Sequence, residues 1–238
     1  MSVTSTLRLA IMQPYLLPYI GYFQLIANAD MFVIYDNIEY TKKGWINRNR
    51  ILQNGDATTF TIPLQKDSDF LDVRERYISQ VFNREKLLNQ ITGAYRRAPY
   101  FDDALPLLQR TVRFEEENLF GFLKNSLTEI LDHLEIQARV VVSSDVPIDH
   151  DLRGQDKVLA LCRQLGASSY VNTWGGMDLY SRDTFRDNGV DLQFIRPKQF
   201  EYPQFGQPFV PWLSIIDVLM FNPIDQIRSV ITSRFELG

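Results

Sequence analysis

Residues 7–35 read Leu7-Arg8-Leu9-Ala10-Ile11-Met12-Gln13-Pro14-Tyr15-Leu16-Leu17-Pro18-Tyr19-Ile20-Gly21-Tyr22-Phe23-Gln24-Leu25-Ile26-Ala27-Asn28-Ala29-Asp30-Met31-Phe32-Val33-Ile34-Tyr35. The apolar run Leu7 to Met12 has the length of a strand and stops at Gln13-Pro14. Pro14 and Pro18 bracket Tyr15-Leu16-Leu17. Each disfavours helix geometry in the residue before it, so this segment reads as a stiff loop. A short helix is expected from about Tyr19 to Ala29. Met31 to Tyr35 is short and continuously apolar, which suits a buried parallel strand. Strand, loop, helix, strand is a compact crossover unit of α/β sheets. A ligand pocket belongs at the carboxyl ends of such strands, where neighbouring connections diverge.

Downstream the alternation continues. Asp36 to Arg50 reads as a polar, aromatic loop. Asn54-Gly55 signals a turn, followed by a strand from Thr58 to Leu64. A weak strand signal covers Arg74 to Ile78. Asn83 suits a cap for a helix running to about Arg96, and a short helix fits between Pro99 and Pro106. Leu119, Phe122, Leu123, Leu127, Ile130, Leu131 and Leu134 recur at helical spacing, so Asn118 to Leu134 is the longest expected helix. Then come a strand from Ala138 to Val142, a helix from Gln155 to Leu165 closed by Gly166, a strand from Ser169 to Asn172, a turn at Trp174-Gly175-Gly176, a helix from Met177 to Asp187 and a strand from Asp191 to Ile195. Residues 197–212 form a proline- and aromatic-rich tract. Helices over Ser214–Met220 and Pro223–Ser233 close the chain. The expected fold is α/β, a mostly parallel or mixed sheet flanked by helices, in one domain over 1–238 with a helical cap or insertion at about 83–135.

The chain has 238 residues, enough for a sizeable core, and 45% hydrophobic with 23% charged residues is an ordinary globular mix. A formal net charge of −4 supplies no general pull toward nucleic acid or anionic membranes. The sole cysteine, Cys162 in the apolar run Val158 to Cys162, reads as a buried filler and fits a reducing compartment. The first ten residues lack a basic n-region and a long apolar core, so no signal peptide and a cytoplasmic location are expected. Residues 1–6 read as a frayed end. No apolar run approaches the ~20 residues needed to span a bilayer, so no integral membrane segment is expected, with peripheral attachment left open.

The chemistry concentrates between Gln13 and Arg50. Gln13 and Asn47 carry amides that donate and accept. Tyr15, Tyr19, Tyr22, Tyr35 and Tyr40 offer flat faces with hydroxyl tips, and Trp45 adds a further ring. Lys42, Lys43, Arg48 and Arg50 suit phosphate, sulfate or carboxylate. Asp36 and Glu39 suit a base, a cation's partner or a magnesium ligand. These residue types fit a sugar nucleotide or another phosphorylated small molecule. They fit half-buried sheet edges and a solvated face as well.

The run Ile11 to Ile26, then Asp30 to Asp36, then Lys42-Lys43-Gly44-Trp45-Ile46-Asn47-Arg48-Asn49-Arg50 resembles the WbqC-like protein family. The resemblance continues through Gly154-Gln155-Asp156-Lys157 and Tyr170-Val171-Asn172 to Gly175-Gly176, and so covers most of the chain. That family is a bacterial group linked with O-antigen, lipopolysaccharide and other surface-polysaccharide gene sets. The resemblance implies transfer of a small amino-acid-derived acyl group, such as glycyl, to an amino sugar, and it raises Lys157 and Asn172 as substrate-binding candidates. A second similarity, to nucleotidylyltransferases with a histidine signature at the helix start, is weaker, because Tyr19 and Tyr22 stand where such a pattern needs histidine.

Elsewhere, Gly154 to Lys157 opens a helix whose N–H groups suit an anion. Trp174-Gly175-Gly176 suits close backbone approach to a ligand or a plain turn. His133 reads as a surface or helix-end charge. His150, in Asp149-His150-Asp151, reads as a loop histidine or a general acid or base. No zinc spacing, P-loop, dinucleotide fingerprint or EF-hand occurs, so no metal ligand is assigned and the cofactor is left unknown. The aromatic and basic residues of 35–50 superficially suit RNA, but overall charge and the lack of a recognised module weigh against nucleic acid.

The leading expectation is a transferase acting on a phosphorylated or nucleotide-linked small molecule, with acyl transfer ahead of nucleotidyl transfer. Asp36, Lys42 and His150 are the catalytic candidates. Gln13, Tyr15, Tyr19, Tyr22, Trp45, Asn47, Arg48, Lys157 and Asn172 are the binding candidates. The rival expectations are a nucleotidylyltransferase-like enzyme and a non-catalytic ligand-binding or assembly protein. For the latter, the tract from Pro197 to Trp212 would contact a polysaccharide-biosynthesis enzyme; a homo-oligomer stays open.

Overall fold

The computed structural model describes residues 7–206 and 208–238; the frayed end expected over 1–6 lies outside them. Strand β1 (Arg8–Met12), helix α1 (Ile20–Ala27) and strand β2 (Met31–Ile34) form the expected crossover. β1 and β2 run parallel, Leu9 opposite Met31 and Met12 opposite Ile34. The intervening loop is stiff for reasons beyond its prolines. Asn49 Nδ2 donates to the carbonyls of Leu16 and Leu17, both at 2.8 Å, and Ser214 Oγ donates to Leu17 at 2.6 Å. These bonds hold Leu17 at φ +45°, a left-handed backbone that a leucine seldom adopts. Helix α1 is buried from Gly21 to Ile26. A side chain on Gly21 would come within 2.8 Å of Pro197 and closer still to the Tyr19 ring, so only glycine lets the helix start against both.

The remaining elements are β3 (Arg48–Gln53), β4 (Asp56–Thr61), α2 (Arg84–Tyr95), α3 (Phe101–Arg113), α4 (Leu119–Leu134), β5 (Arg139–Val142), α5 (Gly154–Leu165), β6 (Ser169–Thr173), α6 (Arg182–Asp187), β7 (Asp191–Pro197), α7 (Ile215–Phe221), α8 (Ile224–Ser233) and β8 (Phe235–Leu237). Six strands form one sheet in the order β5-β2-β1-β6-β7-β8. All neighbours are parallel except β8, which pairs antiparallel with β7. Connections from β1 lead to β2 and β5 on one side, and the chain then returns through α5 to β6 on the other. The strand order therefore reverses between β1 and β6, which places a crevice outside their carboxyl ends.

Alternate residues of each strand feed different cores. Ala10, Phe32, Ile34, Val171 and Ile195 pack with α1, α7, α8 and the α2–α4 helices. Leu9, Ile11, Met31, Val33, Tyr170, Leu192 and Phe194 pack with α5 and α6 on the opposite face. The result is a mostly parallel sheet between two helical layers. Cys162 is fully buried in the second core, and burial pushes its thiol up to about 12. Among the described residues no helix is long and apolar enough to cross a membrane.

Several local expectations fall. The polar loop expected to Arg50 ends as β3, paired with β4 across Asn54-Gly55, whose φ values of +55° and +89° make the turn. Arg48, Asn49 and Arg50 hide the strand pattern because Asn49, although polar, is the inward residue. The weak strand at Arg74–Ile78 starts instead in a 3-10 turn over Val73–Glu75, closed by Asp72 N–H donating to Glu75 Oε2 at 2.8 Å, and beyond it Tyr77 and Ile78 make isolated antiparallel bridges to Asn118 and Leu64. The short helix between Pro99 and Pro106 runs on to Arg113. Pro106 sits in its second turn, on an exposed face, where water can serve the carbonyl that lacks a donor. The helix expected from Met177 is a 3-10 segment, Trp174–Leu179, broken before α6, which Ser181 caps at Thr184 N–H. By contrast Asn83 caps α2 and Gly166 closes α5 at φ +72°, both as expected, and Asn118, where the long helix is expected to begin, caps α4 through Gly121 N–H.

Candidate functional site

At the carboxyl ends of β2 and β5 two polar segments meet. Asp36 and Asn37 follow β2, and Ser143 and Ser144 follow β5. Asp36 is 1% exposed. Its Oδ1 accepts from Ser143 Oγ at 2.8 Å and Ser144 N–H at 3.0 Å, and its Oδ2 accepts from Ser144 Oγ at 2.7 Å. Three donors fix this carboxylate in orientation. Ser143 Oγ also lies 2.5 Å from the Asn37 Oδ1 position, and Asn37 Nδ2 lies 2.9 Å from His150 Nδ1. A hydroxyl has one proton, and the carboxylate is its stronger acceptor. With that proton committed to Asp36, Asn37 must turn its NH2 toward Ser143 and its carbonyl oxygen toward His150. The two ends of an amide have the same shape, so the network decides between them. His150 then donates Nδ1–H to Asn37, and its Nε2 keeps a free lone pair.

Lys157, in the first turns of α5, closes this group from behind. It is 1% exposed. Its Nζ donates to the carbonyls of His150 at 3.2 Å and Asn37 at 3.4 Å, and lies 5.2 Å from the centre of the Tyr35 ring. Burial, with Arg153 adding to it, holds its ammonium below the ordinary lysine value, against the opposite pull of Asp72 and Asp36. The Asp72 carboxyl is raised by burial first and Glu75 second. Burial likewise pushes the Tyr35 phenol up to about 12. Lys157 thus ties together the two segments that carry Asn37 and His150.

Across β1, at the strand-order reversal, the surface is open and aromatic. A hollow of about 180 Å³ lies among Tyr15, Pro18, Tyr19, Trp45, Asn49, Arg50 and Trp212. Beside it a cleft of about 780 Å³ is lined by Thr173, Trp174, Arg196, Lys198, Gln199 and Glu236, with Tyr19 and Trp212 shared between the two. The chain's three tryptophans, Trp45, Trp174 and Trp212, are 38%, 43% and 58% exposed. So much exposed indole in one place makes this a candidate binding surface. Guanidinium groups flank two of them. Arg50 and Arg48 lie 5.2 and 5.6 Å from the Trp45 ring centre, and Arg196 lies 5.4 Å from that of Trp174. Trp212 stands edge-on to Tyr19 at 5.9 Å. Its φ of +60° is a strained position for a bulky residue; Arg50 Nη2 donates to its carbonyl at 3.0 Å and holds it there.

The segment carrying Trp212 is anchored beneath by a buried carboxylate. Asp217, fully buried in α7, accepts from Tyr95 Oη at 2.8 Å, Tyr202 Oη at 2.7 Å and Gln204 Nε2 at 2.6 Å. Burial raises its carboxyl above the ordinary value, and the three donors oppose that. Gln204 in turn accepts from Val210 N–H at 2.7 Å.

The sequence candidates therefore divide. Tyr15, Tyr19 and Trp45 meet in the aromatic hollow. Asp36, His150 and Lys157 meet at the β2–β5 station. Gln13 follows β1 between the two groups, half-buried, and its side-chain amide makes no hydrogen bond among the described residues. Arg48 donates to the carbonyls of Gly44 and Lys43, bracing the loop below Trp45. Other candidates are used internally. Asn47 donates to Ile62 O and accepts from Tyr40 Oη, both at 2.8 Å. Tyr22 Oη donates to Gln13 O at 2.8 Å, and buried Asn172 accepts from Thr173 N–H at 2.8 Å. Lys42 points outward, 67% exposed, and pairs with Asp69 at 2.7 Å. Sequence reasoning missed Asn37, Ser143, Ser144, Arg196 and Trp212 as site residues. Only Trp212 carried a signal, its place in the proline-rich tract. Among the described residues no three His, Cys, Asp or Glu side chains cluster as metal ligands.

Comparison with known proteins bears on the whole chain. The model of the WbqC-like protein family matches residues 13–229. A Mycobacterium tuberculosis protein (strain ATCC 25618 / H37Rv), described as uncharacterized protein Rv1507c, is 30% identical over 220 residues, spanning 90% of this chain and 93% of its own. No solved structure matches the chain.

Proposed function

This chain belongs to the WbqC-like protein family, and from that premise we propose that it is a group-transfer enzyme acting on a sugar nucleotide or related phosphorylated metabolite in surface-polysaccharide biosynthesis. The observation that carries the reading is the crevice at the strand-order reversal, where exposed indoles stand beside guanidinium groups that have no carboxylate partner among the described residues, a short way from an oriented histidine. Asp36 follows β2 and Trp174 follows β6, two strands apart, which is roughly 10 Å by strand spacing. An extended ligand can reach from one to the other.

Acyl transfer to an amino sugar uses this layout directly. The sugar amine attacks the activated carbonyl, and a C–N bond forms. His150 Nε2 takes the proton from the attacking nitrogen. It then gives it to the leaving group as the bond to that group breaks. Asp36 acts through Ser143 and Asn37 to fix the imidazole, a positioning role rather than a proton-transfer role. Gln13 is placed to donate to the carbonyl oxygen as charge develops there.

Two measurements test this. Thermal shift with sugar nucleotides, sugar phosphates and acyl donors identifies a ligand, because selective binding to the folded state raises the melting point. With that ligand, His150→Ala is expected to lower kcat by about 10²–10⁴-fold with KM little changed. A His150→Ala enzyme at near-normal rate removes the proton-transfer assignment. No stabilising ligand in the whole panel removes the sugar-nucleotide reading.

A further inference from the structure

Resting on that reading, we infer that the two hollows divide one ligand between them: the 180 Å³ hollow takes the base of a nucleoside diphosphate, and the 780 Å³ cleft takes its sugar. Size separates them first. Pockets that enclose a whole small molecule measure ~300–1,000 Å³, so the smaller hollow has room for one ring system and the cleft has room for the remainder.

Hydrogen-bond polarity separates them further. The small hollow is lined by Trp45, Trp212, Tyr15, Tyr19 and Arg50, whose side chains carry two indole N–H groups, two phenols and one guanidinium. It contains no carboxylate. Its one amide, Asn49, is committed: Nδ2 to Leu16 and Leu17, and Oδ1 accepting from Arg50 N–H at 2.8 Å. The indoles and the guanidinium only donate, while the two phenols donate and accept, so donors outnumber acceptors among the lining side chains. A polyol, whose hydroxyls must also donate, is ill served there. A carbonyl-bearing planar ring followed by phosphate is well served. Its carbonyls accept, its faces stack on indole, and its charge meets Arg50. Arg50 Nε is buried without a hydrogen-bond partner among the described residues, an unmet donor at the hollow's edge.

The cleft has the opposite character. Gln199 and Glu236 supply acceptors, Thr173 supplies a hydroxyl, and Arg196 and Lys198 supply charge. Mixed donors and acceptors beside an exposed indole suit a sugar ring. Trp212 and Tyr19, which line both hollows, mark where the diphosphate crosses. The left-handed backbone of Trp212, held by Arg50, presets that crossing before any ligand arrives.

The test is titration of the full-length protein by tryptophan fluorescence and calorimetry with uridine diphosphate, inorganic pyrophosphate and N-acetylglucosamine 1-phosphate. Uridine diphosphate is expected to bind about tenfold or more tightly than pyrophosphate. Trp212→Ala and Trp45→Ala are each expected to weaken it by about tenfold to a hundredfold. Trp212→Phe, which keeps a stacking face, is expected to recover part of the loss. Trp174→Ala is expected to weaken the sugar phosphate and leave uridine diphosphate unchanged. Both ring positions are exposed, so unaltered melting points identify the losses as binding losses. Uridine diphosphate binding no better than pyrophosphate, or indifference to Trp212→Ala, overturns the base site. If the sugar phosphate still binds in that case, the group-transfer reading stands without it. Uridine diphosphate binding at Trp45 and Trp212 with no transferable group found leaves the base site standing and sinks the transfer reading.

Discussion

The two sides of the crevice solve different problems. At the β2–β5 station every polar side chain already has its partner: Asp36 holds three donors, Lys157 holds two carbonyls, and His150 is held by Asn37. At the β1–β6 reversal the three indoles and Arg196 are exposed, and Arg48 and Arg50 are half-buried beside Trp45. The first side is ordered before a ligand arrives, as groups that move protons must be. The second gains its contacts from the ligand. Removing a residue on the first side should therefore cost stability, and on the second side affinity.

The sharpest break in that comparison comes from Asp36→Ala. It strands the donors of Ser143 and Ser144 in a buried place, and a loss of ~2–4 kcal/mol is expected by urea denaturation. A loss below ~1 kcal/mol would show that water reaches the station, and its ordering would have to be abandoned. Lys157 separates charge from packing. Lys157→Met keeps the volume and removes a buried cation, so its stability is expected within ~1 kcal/mol of the parent, while Lys157→Ala is expected to lose ~2 kcal/mol or more. Equal losses in both would mean that the two carbonyl bonds, rather than the packing, hold the segments together.

Asp217 tests how the open side is supported. Its folded-state carboxyl is raised above the unfolded value. The folded protein therefore keeps the proton more tightly, and the contribution is fully present below the unfolded value. It is lost as pH rises through the folded one. Asp217→Asn is expected to flatten this fall of stability with rising pH from the ordinary carboxylate range upward. An unchanged slope would assign the pH dependence to another group. Smallest of all is Lys42→Ala. The pair with Asp69 is exposed on both sides, and no measurable change in melting point or turnover is expected. A clear loss of turnover would place the 41–44 loop over the ligand and redraw the cleft.

Legibility differs between the two sides as well. Tyr15, Tyr19 and Trp45 stand out in the sequence because two prolines and a basic run set them apart from the apolar strands. Trp212 joins them only through the fold: Arg50 reaches its carbonyl from 162 residues away in the chain, and Ser214 donates to Arg50 and Leu17 beside it. Asn47 and Asn49 look like binding residues by type and are hidden supports by position. Asn49 pins the very loop that presents Tyr15 and Tyr19. His150 reads in the sequence as a loop histidine or an acid–base group, and its contact with Asn37, 113 residues earlier, is visible only in the fold.

The sequence by itself determined the alternation of strands and helices, the long helix α4, the Asn83 cap of α2 and the Gly166 end of α5, and the placement of a crevice at the carboxyl ends of parallel strands. Those follow from periodicity, which is a local property, since each residue's face is set by its neighbours in the chain. The tertiary structure alone decided which polar residues turned inward, which tryptophans stayed out, and which way the amide of Asn37 points. A hydrogen bond needs a particular partner at a particular distance, and in this fold those partners arrive from strands and helices far apart in the sequence.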